Sequence, residues 1–230
     1  MQHTSPLIYI VLPTYNEKGD IVSLIEEIVA LGYVHVVIVD DGSNGWYQEK
    51  LRTVRHATVL HHEINRGAGA ATQTGISYAL KQGAEYIVTI DSDGQHSPHN
   101  IPALLLPLLN NSYDVVIGSR FLRKENHIPF LRICANRIGN ILTRLLGGVA
   151  LTDTQSGFRA FRRSAAEQIY IHSNGFEFAS EVVREIRWKK LSYCEVPIHV
   201  TYTKETMRKG QSFAEGLKTA LKLILRSLMR

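Results

Sequence analysis

The chain has 230 residues, 44% hydrophobic and 20% charged, enough for one large or two small globular domains and unlike a disordered chain. Its two cysteines, Cys134 and Cys194, show no CxxC or Cys/His spacing, which argues against zinc and a disulfide framework and fits a reducing cytoplasm. The net charge of +5 divides unevenly: residues 1–118 hold 6 Lys/Arg against 12 Asp/Glu, and residues 119–230 hold 20 against 9. The first half suits cations, and the second suits phosphates or an anionic membrane surface.

The opening segment has no basic n-region, so no signal peptide is expected. No run approaches ~18 consecutive apolar residues, so no membrane span is expected either. "LIYIVL" (7–12) reads as a buried strand, and Ile21, Leu24, Ile25 and Ile28 form a helical stripe over 19–31. "VHVVIVDDGS" is a second strand ending in acids, and "ATVLHH" a weaker third. "GAGAATQTGISYALKQG" is a helix closed by Gly83. "EYIVTIDSD" is a fourth strand ending in acids, followed by a helix with Pro98 at its first position and then the strand "YDVVIGSR". This rhythm predicts an α/β protein, a mostly parallel sheet with helices on both faces.

In such folds ligands bind beyond the carboxyl ends of the strands. "PTYNE", "DDGS", "DSDGQH" and "GSR" all fall there and predict one site on one edge of the sheet. Asp91 and Asp93 crowd two carboxylates after an apolar run. Like charges so close repel, and a hard divalent cation, Mg²⁺ or Mn²⁺, with Gln95 as a third oxygen donor, would reconcile them. A solvated turn capping the next helix is the plainer alternative. "INRGAGAATQTGI" fails the dinucleotide fingerprint, since Thr72 stands where a third glycine or alanine belongs.

"TDTQSGFRAFRR" (152–163) has the composition of a ligand-touching loop, although by itself a capped turn into a short helix is the plainer explanation. Residues 128–148 form an amphipathic helix candidate carrying Arg132, Arg137 and Arg144. The final segment sorts Phe213, Leu217, Leu221, Ile224 and Leu228 onto one helical face and Lys218, Lys222, Arg226 and Arg230 onto the other. Such a helix either lies in a membrane interface or packs on the core with a solvated basic face. No nucleic-acid module is present, and the acidic half would repel phosphates without a metal, so no nucleic acid partner is expected.

Side by side and in this order, "VLPTYNE", "VDDGS", "NRGAGAA", "DSDGQH", "GSR" and "TDTQSGFRAF" make the chain resemble a family 2 glycosyltransferase of the GT-A fold, nearly end to end. Within that family it is similar to the polyprenyl-phosphate glycosyltransferases of the dolichol-phosphate mannosyltransferase type, in their bacterial form. The resemblance implies a GT-A catalytic domain over 1–211, with a nucleotide-sugar and metal half (1–118) and an acceptor half (119–211), and a basic amphipathic helix over 212–230. It implies that Pro13, Tyr15, Glu17 and Asp41 cradle the base and ribose of a UDP- or GDP-sugar, with Asp91 and Ser92 beside them. Asp91, Asp93 and Gln95 would hold Mg²⁺ or Mn²⁺ on the diphosphate, and Arg120 and Arg159 would face donor or acceptor phosphates. The family inverts the anomeric centre. A polyprenyl phosphate acceptor is already ionised. A saccharide hydroxyl, as in cell-surface glycan assembly, would need a base, with Asp153 the candidate. The chain departs from relatives in lacking the glutamine of a "QxxRW" motif before Arg187-Trp188, and in placing Phe213 where a lysine is common; Lys204, Arg208 or Lys209 would substitute. Peripheral attachment at the cytoplasmic membrane face, directly or through a separate membrane protein, is the expected location.

Overall fold

A computed structural model describes residues 6–201 apart from 124, 127, 129–132, 134, 135, 142, 143 and 145–148. The candidate helix over 213–230 lies outside the described residues. Within 128–148, residues 136–141 are helical and much of the remainder is outside the description.

Seven strands form one sheet: β1 (Ile8–Thr14), β2 (His35–Asp40), β3 (Thr58–His61), β4 (Tyr86–Thr89), β5 (Val115–Ser119), β6 (Arg159–Arg162) and β7 (Tyr193–Pro197), in the order β3-β2-β1-β4-β6-β5-β7. Among the described residues the helices, besides the helical stretch 136–141, are α1 (Ile21–Ala30), α2 (Gly45–Arg52), α3 (Ala68–Lys81), α4 (Ile101–Leu109), α5 (Arg163–Ala166) and α6 (Phe178–Trp188). The expected strands and helices through β5 are present. Pro98 opens a short 3-10 turn ahead of α4, where its missing N–H costs nothing. α2, β6, α6 and β7 are additional to the elements expected from sequence, although α6 carries an amphipathic stripe of Phe178, Val182, Val183 and Ile186.

Side chains alternate across each strand, and the sheet buries both faces. Tyr9 and Val11 of β1 pack with α3, α5 and α6, while Ile10 and Leu12 pack with α1, α2 and α4. Gly75 brings α3 hard against β1: a Cβ there would stand 2.2 Å from a Val11 methyl.

Two features of the topology position the site. The chain builds outward from β1 through β2 to β3, then returns to lay β4 on the other side of β1. The resulting switch point, between the carboxyl ends of β1 and β4, is where open α/β sheets bind ligands. β6 runs antiparallel to both β4 and β5, pairing Arg159 with Thr89 and with Ile117. An antiparallel strand starts where its parallel neighbours end, so the 152–158 segment enters the sheet on the same edge as the acidic strand ends.

Candidate active site

The stretch after β1 is held in shape by the stretch after β2. Asn16, in a left-handed conformation (φ 48°), donates its backbone N–H to Ser43 Oγ (2.9 Å), and its side-chain oxygen accepts from Asn44 N (2.9 Å). Pro13 and Glu17 are half-buried and Tyr15 is exposed along this lip. Ser92 is buried and donates its hydroxyl to the Pro13 carbonyl (2.9 Å), locking the end of β4 to the end of β1.

Asp41 is buried, and its carboxylate is engaged within the protein. It accepts from Arg66 N (3.0 Å), Gly67 N (2.6 Å) and His62 Nδ1 (2.7 Å), and so holds the loop into α3. His62 is anchored in turn on Thr74 (3.0 Å). Asp40 is likewise buried, accepting from Ser43 N and pairing with His61. Both histidines are structural partners of strand-end acids.

Asp91 and Asp93 sit where the sequence puts them, just past β4, with different surroundings. The Asp91 side chain is 42% exposed, with His96 Nε2 3.4 Å away. Enclosure raises the Asp91 carboxyl, but hydrogen bonding and charge from His96, with the charges of Arg120 and Arg159, outweigh it and hold the group below the ordinary carboxylate range. Its carboxylate lies against Gly157, where a Cβ would stand 2.4 Å from Oδ1. Asp93 accepts from both the backbone N–H (2.9 Å) and the side-chain amide (2.6 Å) of Gln95. Gln95 thus orients Asp93. Two carboxylates and one amide suit a hard cation that takes its other ligands from a diphosphate and water. Among the described residues there is no group of three His, Cys, Asp or Glu side chains to hold a metal by themselves.

Arg120, just past β5, has its side chain 17% exposed and forks onto Asp153 through Nε (2.7 Å) and Nη2 (2.7 Å). Asp153 is fully buried and also accepts from the Arg120 backbone N–H (3.1 Å). A base must reach the proton it removes, and this carboxylate is instead consumed in fixing an arginine. Arg159 is corrected more sharply. As a residue of β6 it is 1% exposed beneath the site, donating Nη2 to the carbonyls of Thr154 (2.9 Å) and Ala179 (2.8 Å), and so it does not face a phosphate. Burial pulls its guanidinium down to about 10 against the opposing charges of Asp153 and Asp91, so it remains a cation at neutral pH under the acidic pair.

Sequence reasoning missed three contributors: His96 beside Asp91, Glu195 of β7, and Asn140. The spacing of Asn136 and Asn140, one helical turn apart, was the available signal for the last; Glu195 reaches the site only through β-pairing. A cavity of about 490 Å³ lies elsewhere, along the outer side of α3 between Leu60, Ser77 and Tyr170, and no candidate site residue lines it.

The strand order and polar strand ends define a GT-A glycosyltransferase fold. The chain belongs to the Glycosyl transferase family 2, whose model matches residues 9–170. It is 32% identical to the UDP-N-acetylglucosamine–dolichyl-phosphate N-acetylglucosaminyltransferase of Methanococcus voltae, over 95% of this chain and 95% of that protein. It is 28% identical to the polyprenol monophosphomannose synthase of Mycolicibacterium smegmatis, over 92% of this chain and 83% of that one. The glucosyl-3-phosphoglycerate synthase of Mycobacterium tuberculosis, solved with Mn²⁺, UDP and glucosyl-3-phosphoglycerate, superposes with a TM-score of 0.72 at 19% identity, covering 97% of this chain and 79% of that one.

Proposed function

We propose that this glycosyltransferase moves a sugar from a nucleotide-diphosphate sugar to a polyprenyl phosphate, with inversion, at the cytoplasmic face of a membrane. The observation that carries the reading is the placement of opposite charges on one edge of the sheet: Asp91 and Asp93 past β4, and the Arg120 guanidinium, forked onto Asp153, past β5. Acids on one side suit a cation on the donor diphosphate, and an oriented arginine on the other suits an acceptor phosphate. Relatives covering more than nine-tenths of this chain are named for transfer to polyprenyl phosphates.

In this reading Asp91 and Asp93 hold Mg²⁺ or Mn²⁺, which when bound supplies Lewis-acid neutralisation of charge developing on the leaving diphosphate. A neighbour of the same fold carries Mn²⁺ with UDP. Gln95 and His96 orient the two carboxylates, and Gly157 leaves room for Asp91. Pro13, Tyr15 and Glu17 form the lip for base and ribose, and Asp41 shapes that lip by holding the 62–67 loop. Arg120 meets the acceptor phosphate, which is ionised and needs no base. Arg159 adds fixed positive charge from below. Helix 136–141 offers the membrane a suitable face: Ile138 and Ile141 are 52% and 58% exposed, flanked by exposed Arg137 and Arg144.

The test is transfer of label from UDP-N-acetylglucosamine or GDP-mannose to undecaprenyl phosphate, with Mn²⁺ or Mg²⁺, followed by organic extraction. Labelled lipid that vanishes with EDTA and in Asp93→Ala is the expected result. Label passing only to saccharides, or to nothing across a full panel of UDP, GDP, CDP and dTDP sugars, would reject the reading.

A further inference from the structure

We propose that Asn140 is a positioning residue for the Arg120–Asp153 pair, acting from a helix outside the sheet. Asp153 lies in a segment with no regular hydrogen-bond ladder, so something else must fix its carboxylate. Glu195 of β7 grips one side, accepting from Thr152 N (2.8 Å), Thr152 Oγ1 (2.9 Å) and Asp153 N (2.9 Å). Asn140 grips both flanks at once. Its amide donates to the Thr152 carbonyl (2.7 Å), and its oxygen accepts from Thr154 N (3.1 Å) and Thr154 Oγ1 (2.8 Å). The amide orientation is forced, because a carbonyl can only accept and a backbone N–H can only donate. Residue 153 is thereby bracketed from 152 and 154 by one side chain.

The bracket reaches the chemistry through two rigid links. The buried Asp153 carboxylate is set by its backbone, and Arg120 is set by a two-point fork on that carboxylate, a geometry that fixes the plane of the guanidinium. Asn136, one turn earlier, also donates to the Thr152 carbonyl (2.9 Å), but that acceptor keeps a bond if Asn136 is lost. Nothing else described accepts from Thr154 N. Losing Asn140 therefore frees the Thr154 N–H and hydroxyl and leaves that flank of Asp153 held only through Arg159 on the Thr154 carbonyl, and losing Asn136 frees neither.

The positioning claim is independent of substrate, whereas its weight in turnover rests on the reading of Arg120 as the cation that meets the acceptor phosphate. The experiment separates the two. The ¹⁵N–¹H signal of Arg120 Nε reports its bond to Asp153 in the ligand-free protein. Asn140→Ala is expected to move that signal toward the position of a free guanidinium and to speed its exchange with water tenfold or more, with Asn136→Ala leaving it in place. Thr154→Val, which removes one bond and keeps the shape, should shift it the same way by less and serves if Asn140→Ala folds poorly. A signal unmoved in either variant overturns the proposal. In transfer from UDP-N-acetylglucosamine or GDP-mannose to undecaprenyl phosphate, Asn140→Ala should lower kcat about tenfold, the low end for losing a supporting hydrogen bond behind a functional group, with KM for the nucleotide sugar within about twofold. In an Arg120→Lys background the same change should cost little more, because residues acting through one another are not additive. Full additivity would also overturn it. Wild-type activity in Arg120→Lys would instead reject the functional role given to Arg120, leaving the signal to decide the positioning.

Discussion

Gly157→Ala tests the acidic cluster through a single methyl group. Gly157 has no left-handed backbone to protect, so the substitution acts by volume alone. A Cβ built there stands 2.4 Å from Asp91 Oδ1 and 2.7 Å from Oδ2, distances that real Cβ contacts do not reach. Something must yield by more than half an ångström. The yielding partner is Asp91, whose side chain is 42% exposed, since Gly157 is tied down by the Thr89 hydroxyl on its carbonyl (2.7 Å). Overpacking at such a contact costs about 1–3 kcal/mol, and much of that is relieved as Asp91 swings out. The larger effect falls on function, because displacing a reacting or coordinating group by about 1 Å costs on the order of a hundredfold in rate. The assay pairs turnover with a thermal shift against UDP and GDP, with and without Mn²⁺. A folded Gly157→Ala protein is expected to lose the metal-dependent part of the nucleotide shift and about a hundredfold of turnover. A folded variant with both unchanged would refute the reasoning, since Asp91 could then be moved without consequence.

Asp153→Asn should destabilise the protein by about 3 kcal/mol, because it strips a buried partner from a mostly buried arginine; at this chain length that is a fall of roughly 9 °C in melting temperature by calorimetry, and none at all would mean Arg120 is held by something else. Asp91 has its folded pKa below its unfolded one, so the stability it contributes is fully present above the unfolded carboxylate value near ~3.9 and is lost as pH falls through the folded value. The difference in unfolding free energy between wild type and Asp91→Asn should therefore shrink as pH falls below about 4; a difference that holds steady or grows in stronger acid would contradict the assignment. Replacing both Ile138 and Ile141 with Ser should reduce flotation with vesicles rich in anionic lipid while leaving the melting temperature within about 1 °C, as expected for exposed side chains; unchanged flotation would place membrane contact elsewhere.

Where the sequence was legible, one periodicity dominated. β1, β2 and β4 are apolar runs that end abruptly in acids, and α1 shows its stripe of Ile21, Leu24, Ile25 and Ile28, all buried. The strand-end motifs then needed only the rule that parallel strands deliver their carboxyl ends to one edge. β6 was illegible because "RAFR" is four residues long with a charge at each end, and it is a strand only because β4 and β5 leave a gap that it fills antiparallel. That one element accounts for the misplacement of Arg159. Read as a loop residue, an arginine beside Gly157 belongs to a ligand; read in register opposite Thr89 and Ile117, it must lie in the sheet, and burial follows. Asp153 was found for its chemistry and misjudged in its role for a related reason. Local sequence shows a carboxylate, but whether it is a base or an anchor depends on a partner 33 positions away at the end of another strand, and only the folded chain brings Arg120 to it. The roles within an acid motif of this kind therefore cannot be read from local sequence, because which of its members touch substrate is decided by long-range pairing.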